Sequence, residues 1–209
     1  MRKLIAATSA AAALGCGAAN AAIIFSEDFT GEAAGGSVLN FTGFDQFTVS
    51  QGVVDIISSG GFGITCVGGT GGCVDLDGST PGTNPTSELT STAINFLPGF
   101  LYTLSFDISG NQRGQPSDTT QVSVSNGVLA AQSVTLASAD PFQTNSYQFS
   151  VLAPVLASII FFTPGASDNF GLILDNVRVD AVQIPLPAAA PLLLFGLAGL
   201  GAIARRKRS

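Results

Sequence analysis

The sequence predicts an all-β domain, an antiparallel two-sheet sandwich of jelly-roll type, placed between two processing segments. Three observations carry that expectation. Short runs alternate apolar and polar residues, turn formers bound each run, and no long window shows helical apolar periodicity.

The first 21 residues form the opening segment. Arg2 and Lys3 precede an apolar stretch from Leu4, and Ala19-Asn20-Ala21 has the small-x-small form of a signal-peptidase site. Cleavage is expected between Ala21 and Ala22. Cys16 follows a glycine but lacks the spacing of a lipoprotein signal, and the apolar stretch is too short and too broken for an anchor.

Residues 22–183 are enough for one domain with a substantial core. Within them Leu104, Phe106 and Ile108 alternate with Ser105 and Asp107, and Val122 and Val124 alternate with serines. Tyr147, Phe149 and Val151 repeat the pattern. These read as half-buried strands. The stretches SIIFF (158–162) and GLILDNVRV (171–179) read as more deeply buried strands. About ten such segments favour the sandwich.

Cys66 and Cys73 flank the flexible VGGTGG loop and remain as a pair once the signal peptide is removed. An exported chain favours their disulfide, which would stabilise the fold by roughly 2 to 2.5 kcal/mol. Zinc is disfavoured because the chain has no histidine to help complete a tetrahedral set. The same glycines lack the Lys-Ser/Thr ending of a phosphate loop. Immediately after them, Asp75 and Asp77 lie two apart, so in a strand both carboxylates face one side. Two readings stay open: a calcium site, and an Asx-type turn closing the strand. Thr86 stands where an EF-hand loop would need glutamate. Asp175 shares strand phase with Val177 and Val179, so it is expected to point inward unless a bulge intervenes. Arg113 is one of only two cations available as its partner.

Charge excludes whole classes of function. All fourteen acids lie between Glu27 and Asp180, where the only cations are Arg113 and Arg178, so the body carries 2 minus 14, or minus 12. Such a surface repels phosphates, and nucleic acid is excluded as a partner. The body also has no His and no Lys, which removes Ser-His, Cys-His and Ser-Lys nucleophilic machinery. Only a carboxylate pair remains chemically available, and no acid stands out in the sequence as its proton donor. A noncatalytic domain is expected. Tyr102 and Tyr147 lie in strand-like alternation and, with no Trp in the chain, read as core rather than as a sugar platform.

The closing segment has three parts. Ile184, Pro185, Leu186, Pro187 and Ala188 form a short proline motif. Residues 188–204 are an uncharged run of 17, and Arg205, Arg206, Lys207 and Arg208 make a basic end. As a helix the run spans about 25 Å, a thin crossing of a hydrocarbon core of roughly 30 Å. The basic end would stay in the cytoplasm and leave the acidic body outside.

Residues 184–209 resemble the PEP-CTERM class of sorting signals in its VPLPA variant, with Ile184 in place of valine. The resemblance implies a Gram-negative bacterium, export across the inner membrane, and processing by signal peptidase and then by exosortase. It places the product at the cell surface or in the extracellular matrix. CVDLDGS, ISGNQRG and DNFGLILDNVRVD resemble segments of PEP-CTERM-associated domains with a galactose-binding or carbohydrate-binding-module-like sandwich. That second resemblance implies a fold and an extracellular setting. The function expected is a noncatalytic surface or matrix protein without a cofactor, unless calcium binds. The alternative is a carbohydrate-binding module for extracellular polysaccharide.

Overall fold

The computed structural model describes residues 21–79, 86–165 and 168–185. Strands dominate them, as the alternating pattern requires. The first half of the chain supplies β1 (Ala22–Glu27), β2 (Phe47–Gln51), β3 (Asp55–Ser58), β4 (Gly72–Asp75), β5 (Thr86–Ser91) and β6 (Ile94–Phe96). The second half supplies β7 (Phe100–Ser109), β8 (Asp118–Val124), β9 (Leu129–Leu136), β10 (Gln143–Phe149), β11 (Val155–Ala157), β12 (Ile159–Pro164) and β13 (Ile173–Gln183).

Two antiparallel sheets face each other. One runs β10-β7-β13-β4-β3, with β1 also paired to β13, and the other runs β2-β5-β12-β8-β9. A two-stranded ribbon of β6 and β11 lies at one end. The sandwich expected from the sequence is present. Leu104, Phe106, Ile108, Val122 and Val124 all point into the space between the sheets, and the Phe106 and Phe161 rings meet edge-on at 5.1 Å to join them. Tyr102 is buried, and its hydroxyl accepts from the Leu97 amide and donates to the Leu97 carbonyl, fastening the ribbon to β7. Tyr147 packs against the same core, half-buried.

β13 shows why GLILDNVRV lacks alternation. Leu174 faces the main core while Ile173 faces outward into a second cluster with Ile57, Ile64, Cys66 and Cys73, so both faces are covered. Register then shifts between Asp175 and Arg178, and Asn176 sits at φ 50° in the left-handed region. This is a β-bulge. It corrects the simple phase argument for Asp175: the extra residue lets Val177 and Val179 face the main core while Asp175 turns outward beside Ile173. There its Oδ2 accepts from the Val67 amide at 3.1 Å. Arg113 does not reach it. That arginine pairs with Asp75 instead, at 2.5 Å.

Among the described residues no helix is long and apolar enough to cross a membrane. The uncharged run 188–204 lies outside them.

The bulge conformation gives a direct test. Asn176→Val should cost about 1–2 kcal/mol, because a β-branched side chain disfavours positive φ, whereas Asn176→Gly should cost less. Urea denaturation of the two variants measures the difference. Equal losses would mean that the Asn176 side-chain bond to Asp107, absent from both variants, is what matters.

Candidate functional site

The residues singled out by sequence fall in three places. Ala22 opens β1 and pairs with Ala181, and Ile184 donates its amide to the Gly99 carbonyl at 2.9 Å. Pro185 is exposed, while Leu186, Pro187, Ala188 and the basic residues 205–208 lie outside the described residues.

Asp75 and Asp77 lie where β4 leaves the sheet. The Asp75 Oδ1 accepts from the amides of Asp77 and Gly171 at 3.1 and 2.9 Å, and its Oδ2 takes the Arg113 guanidinium. That is an Asx turn reinforced by an ion pair. Asp77 Oδ2 accepts from the Asp168 and Asn169 amides, both at 3.2 Å. Arg113 also donates to the Asn169 carbonyl and lies over the Phe170 ring. Gly171 is required here: a Cβ would meet the Asp77 nitrogen at 2.3 Å. The geometry favours the turn over calcium, because Arg113 already places a positive charge against Asp75. Among the described residues no group of three or more His, Cys, Asp or Glu side chains is arranged to hold a metal. Burial pushes the Asp75 carboxyl upward against the pull of Arg113 and the two amides. Burial likewise lifts Asp77, to about 6.

The third place lies on the outer face of the β7–β13–β4 sheet. Cys66 and Cys73 are bridged there, with Cα atoms 5.5 Å apart, as the flexible loop between them allows. The bridged loop stands opposite the turn that joins β9 to β10, and between them lies an open groove of about 480 Å³. Gln112 closes one end of it. Its Oε1 accepts from the Thr65 amide and its Nε2 donates to the Thr65 carbonyl, both at 3.0 Å, so the β7–β8 loop is tied to the bridged loop. Gly110 lets the β7–β8 loop approach the turn that joins β9 to β10, since a Cβ would meet the Ala137 carbonyl at 1.9 Å. Asp140 fixes its own turn by accepting from the Ala137 amide on Oδ2 at 2.8 Å, and half-buried Phe142 supplies an apolar wall. An aromatic wall, a held amide and a carboxylate around a shallow groove suit a polar, ring-shaped ligand.

Sequence reasoning missed Asp140 and Phe142. Gln112 lay inside the ISGNQRG motif and its φ of 57° was latent there, but its partner Thr65 is 47 positions away.

No protein-family model matches the chain, and no curated protein matches it in sequence. Among solved structures it is similar to the Stig cyclase Fisc from Fischerella sp. TAU in complex with (3Z)-3-(1-methyl-2-pyrrolidinylidene)-3H-indole. The TM-score is 0.56 at 17% identity, over 79% of this chain and 100% of that one. An apo cyclase from Fischerella sp. follows with TM-score 0.54 and 15% identity, over 79% and 98%. The N-terminal CBM22-1-CBM22-2 tandem domain of Paenibacillus barcinonensis Xyn10C gives 0.51 and 12%, over 83% of this chain and 50% of that one. At such identities the likeness shows a sandwich fold shared by binding modules and cyclases alike. It does not decide between binding and catalysis.

Asp175, beneath the disulfide loop, gives the pH prediction. Burial lifts its carboxyl to about 7, against the opposing pull of the Val67 and Asn176 amides. A carboxyl raised on folding binds its proton more tightly in the native state, so its contribution is full below about pH 4 and lost as pH rises through about 7. The melting temperature should therefore fall between those values. Asp175→Asn should flatten that slope by the equivalent of about 1–3 kcal/mol, read by calorimetry from pH 4 to 8.

Proposed function

We propose that the chain is an exported, noncatalytic surface or matrix protein whose sandwich binds neutral extracellular polysaccharide. The groove beside the disulfide carries this reading. It joins an aromatic wall to fixed polar groups, and its frame is a bridge suited to an oxidising compartment. The body charge of minus 12 turns the preference toward uncharged polymers. Carbohydrate-binding-module-like sandwiches among the structural neighbours support the reading as well.

Processing completes the proposal. Signal peptidase cuts before Ala22, and exosortase acts on the proline motif that begins at Ile184, while residues 188–204 hold the chain in the inner membrane. Two described features agree with these junctions: β1 begins at Ala22, and the last strand ends at Gln183. Intact-mass analysis of the surface form should show a start at or near Ala22 and loss of residues 205–208. Retention of both ends in cells that carry exosortase would refute this part.

A catalytic reading has one observation behind it. Asp175, with its raised carboxyl, lies directly opposite Asp107 across the β13–β7 ladder, and a carboxyl pair is the one catalytic device this composition permits. Both acids, however, are engaged by donors: Asp175 by two amides, Asp107 by Thr144 and Asn176. One experiment separates the readings. Affinity electrophoresis in gels of neutral polysaccharides should retard the protein, and Ala139→Arg, which fills the groove from an exposed position, should raise Kd at least about tenfold without lowering stability. Equal retardation of the variant would overturn the groove as the site. Shortened sugar chains released by the wild type and not by Asp175→Asn would make the domain an enzyme.

A further inference from the structure

Large apolar side chains are exposed together at one end of the sandwich. Leu152 is 100% exposed, Leu156 62%, Ile184 47%, Leu97 42% and Leu101 36%. The ladders place them together. Leu101 pairs with Val182, Ile184 bonds to Gly99, Leu156 pairs with Asn95 two positions before Leu97, and Leu152 follows β10, whose last residue Phe149 pairs with Tyr102. Isolated exposed leucines are ordinary on a soluble surface, but five large apolar residues at one end mark a contact face.

Charge is sparse in the segments that carry these side chains, the nearest charges being exposed Asp45, next to the Gln46 whose carbonyl accepts from the Thr92 amide, and the Arg178–Asp180 pair. Residues 92–106, 141–167 and 181–185 hold no Asp, Glu, Lys or Arg, although the body as a whole is strongly acidic. The chain leaves from this end toward the apolar run. Only Leu186 and Pro187 separate Pro185 from Ala188, so even when fully extended the run begins within about 14 Å of Ile184. That reach is about twice the depth of one headgroup layer, which is about 5–8 Å given a bilayer of about 40–45 Å around a hydrocarbon core of about 30 Å, so the tether holds this end close to the headgroups.

We infer that, before processing, the end of the sandwich bearing Leu97, Leu101, Leu152, Leu156 and Ile184 rests on the lipid bilayer, with these side chains seated in its interface. The inference rests on the membrane reading of residues 188–204 given above. Apolar side chains enter the interface, and the scarcity of carboxylates in the segments that carry them lessens the repulsion that the rest of the body would meet at an anionic leaflet. The opposite end, which carries Asp75, Arg113 and Asp118, then faces away from the membrane. The juxtaposition also sets the proline motif at the lipid surface, where a membrane-embedded enzyme reaches it.

The chain has no tryptophan, so one introduced at a chosen position is a unique fluorescent reporter. Full-length Leu152→Trp and Gln115→Trp proteins, both altered at exposed positions but at opposite ends, are reconstituted in phosphatidylcholine vesicles. Flotation reports anchoring independently of fluorescence. The expected result is flotation of both, with emission of the Leu152→Trp protein blue-shifted and quenched by brominated phosphatidylcholine, and that of Gln115→Trp neither shifted nor quenched. Flotation with no quenching, or with equal quenching of both, overturns the seated end and leaves the anchor standing. A blue shift that depends on protein concentration and resists brominated lipid assigns the face to a second copy of the chain instead. Failure to float removes the anchor and this inference together.

Discussion

The structure depends on β13 serving several neighbours at once. Along one edge it pairs with β7 over most of its length, and along the other it is divided between β4 and β1. A regular strand would present one set of side chains to one core throughout. The bulge at Asn176 breaks that phase, so the first part covers the disulfide cluster with Ile173 while the rest fills the main core with Val177 and Val179. One residue in the left-handed region thereby couples the two clusters, and it fixes the position of Asp175 under the Val67 amide.

Polar burial follows the same logic. Asp55, Asp75, Asp77 and Asp175 are all buried, a heavy cost for carboxylates, and each is met by donors supplied by loops. Asp55 holds the amides of Asn40 and Ser79, Asp75 and Asp77 gather the chain from Asp168 to Gly171, and Asp175 holds the disulfide loop. Carboxylates here do what secondary structure cannot do for irregular segments: they satisfy backbone amides away from water. Negative charge in this body is therefore partly architectural.

How far the sequence revealed this depended on the range of each interaction. Alternation is local, so the inward faces of β7 and β8 and the core position of Tyr102 were legible, and the Cys66–Cys73 bridge was legible from its flexible short loop. The aspartates show the limit. Spacing left Asp75 open between an Asx turn and a calcium site, and a count of cations offered Arg113 as a partner for Asp175, whereas the fold places it on Asp75. Phase placed Asp175 inward unless a bulge intervened, and the bulge itself was illegible because it leaves no periodic signal and Asn176 looks like any strand asparagine until its φ is known. The groove was illegible for a related reason: Thr65, Gln112 and Phe142 are distant in sequence and come together only through the turns that join separate strands.

The pairing of Ala22 with Ala181 has a mechanical consequence. Because β1 and β13 run antiparallel, the first residue of the domain lies beside the last strand's end, and both ends of the domain leave from the same place. A chain held at the membrane by one end and pulled by the other would feel tension across this one ladder, in the peeling direction. Its hydrogen bonds would break singly from Ala22 toward Glu27 instead of sharing the load. Under such tension the sandwich yields first at β1, with the β10-β7-β13-β4-β3 sheet still intact behind it.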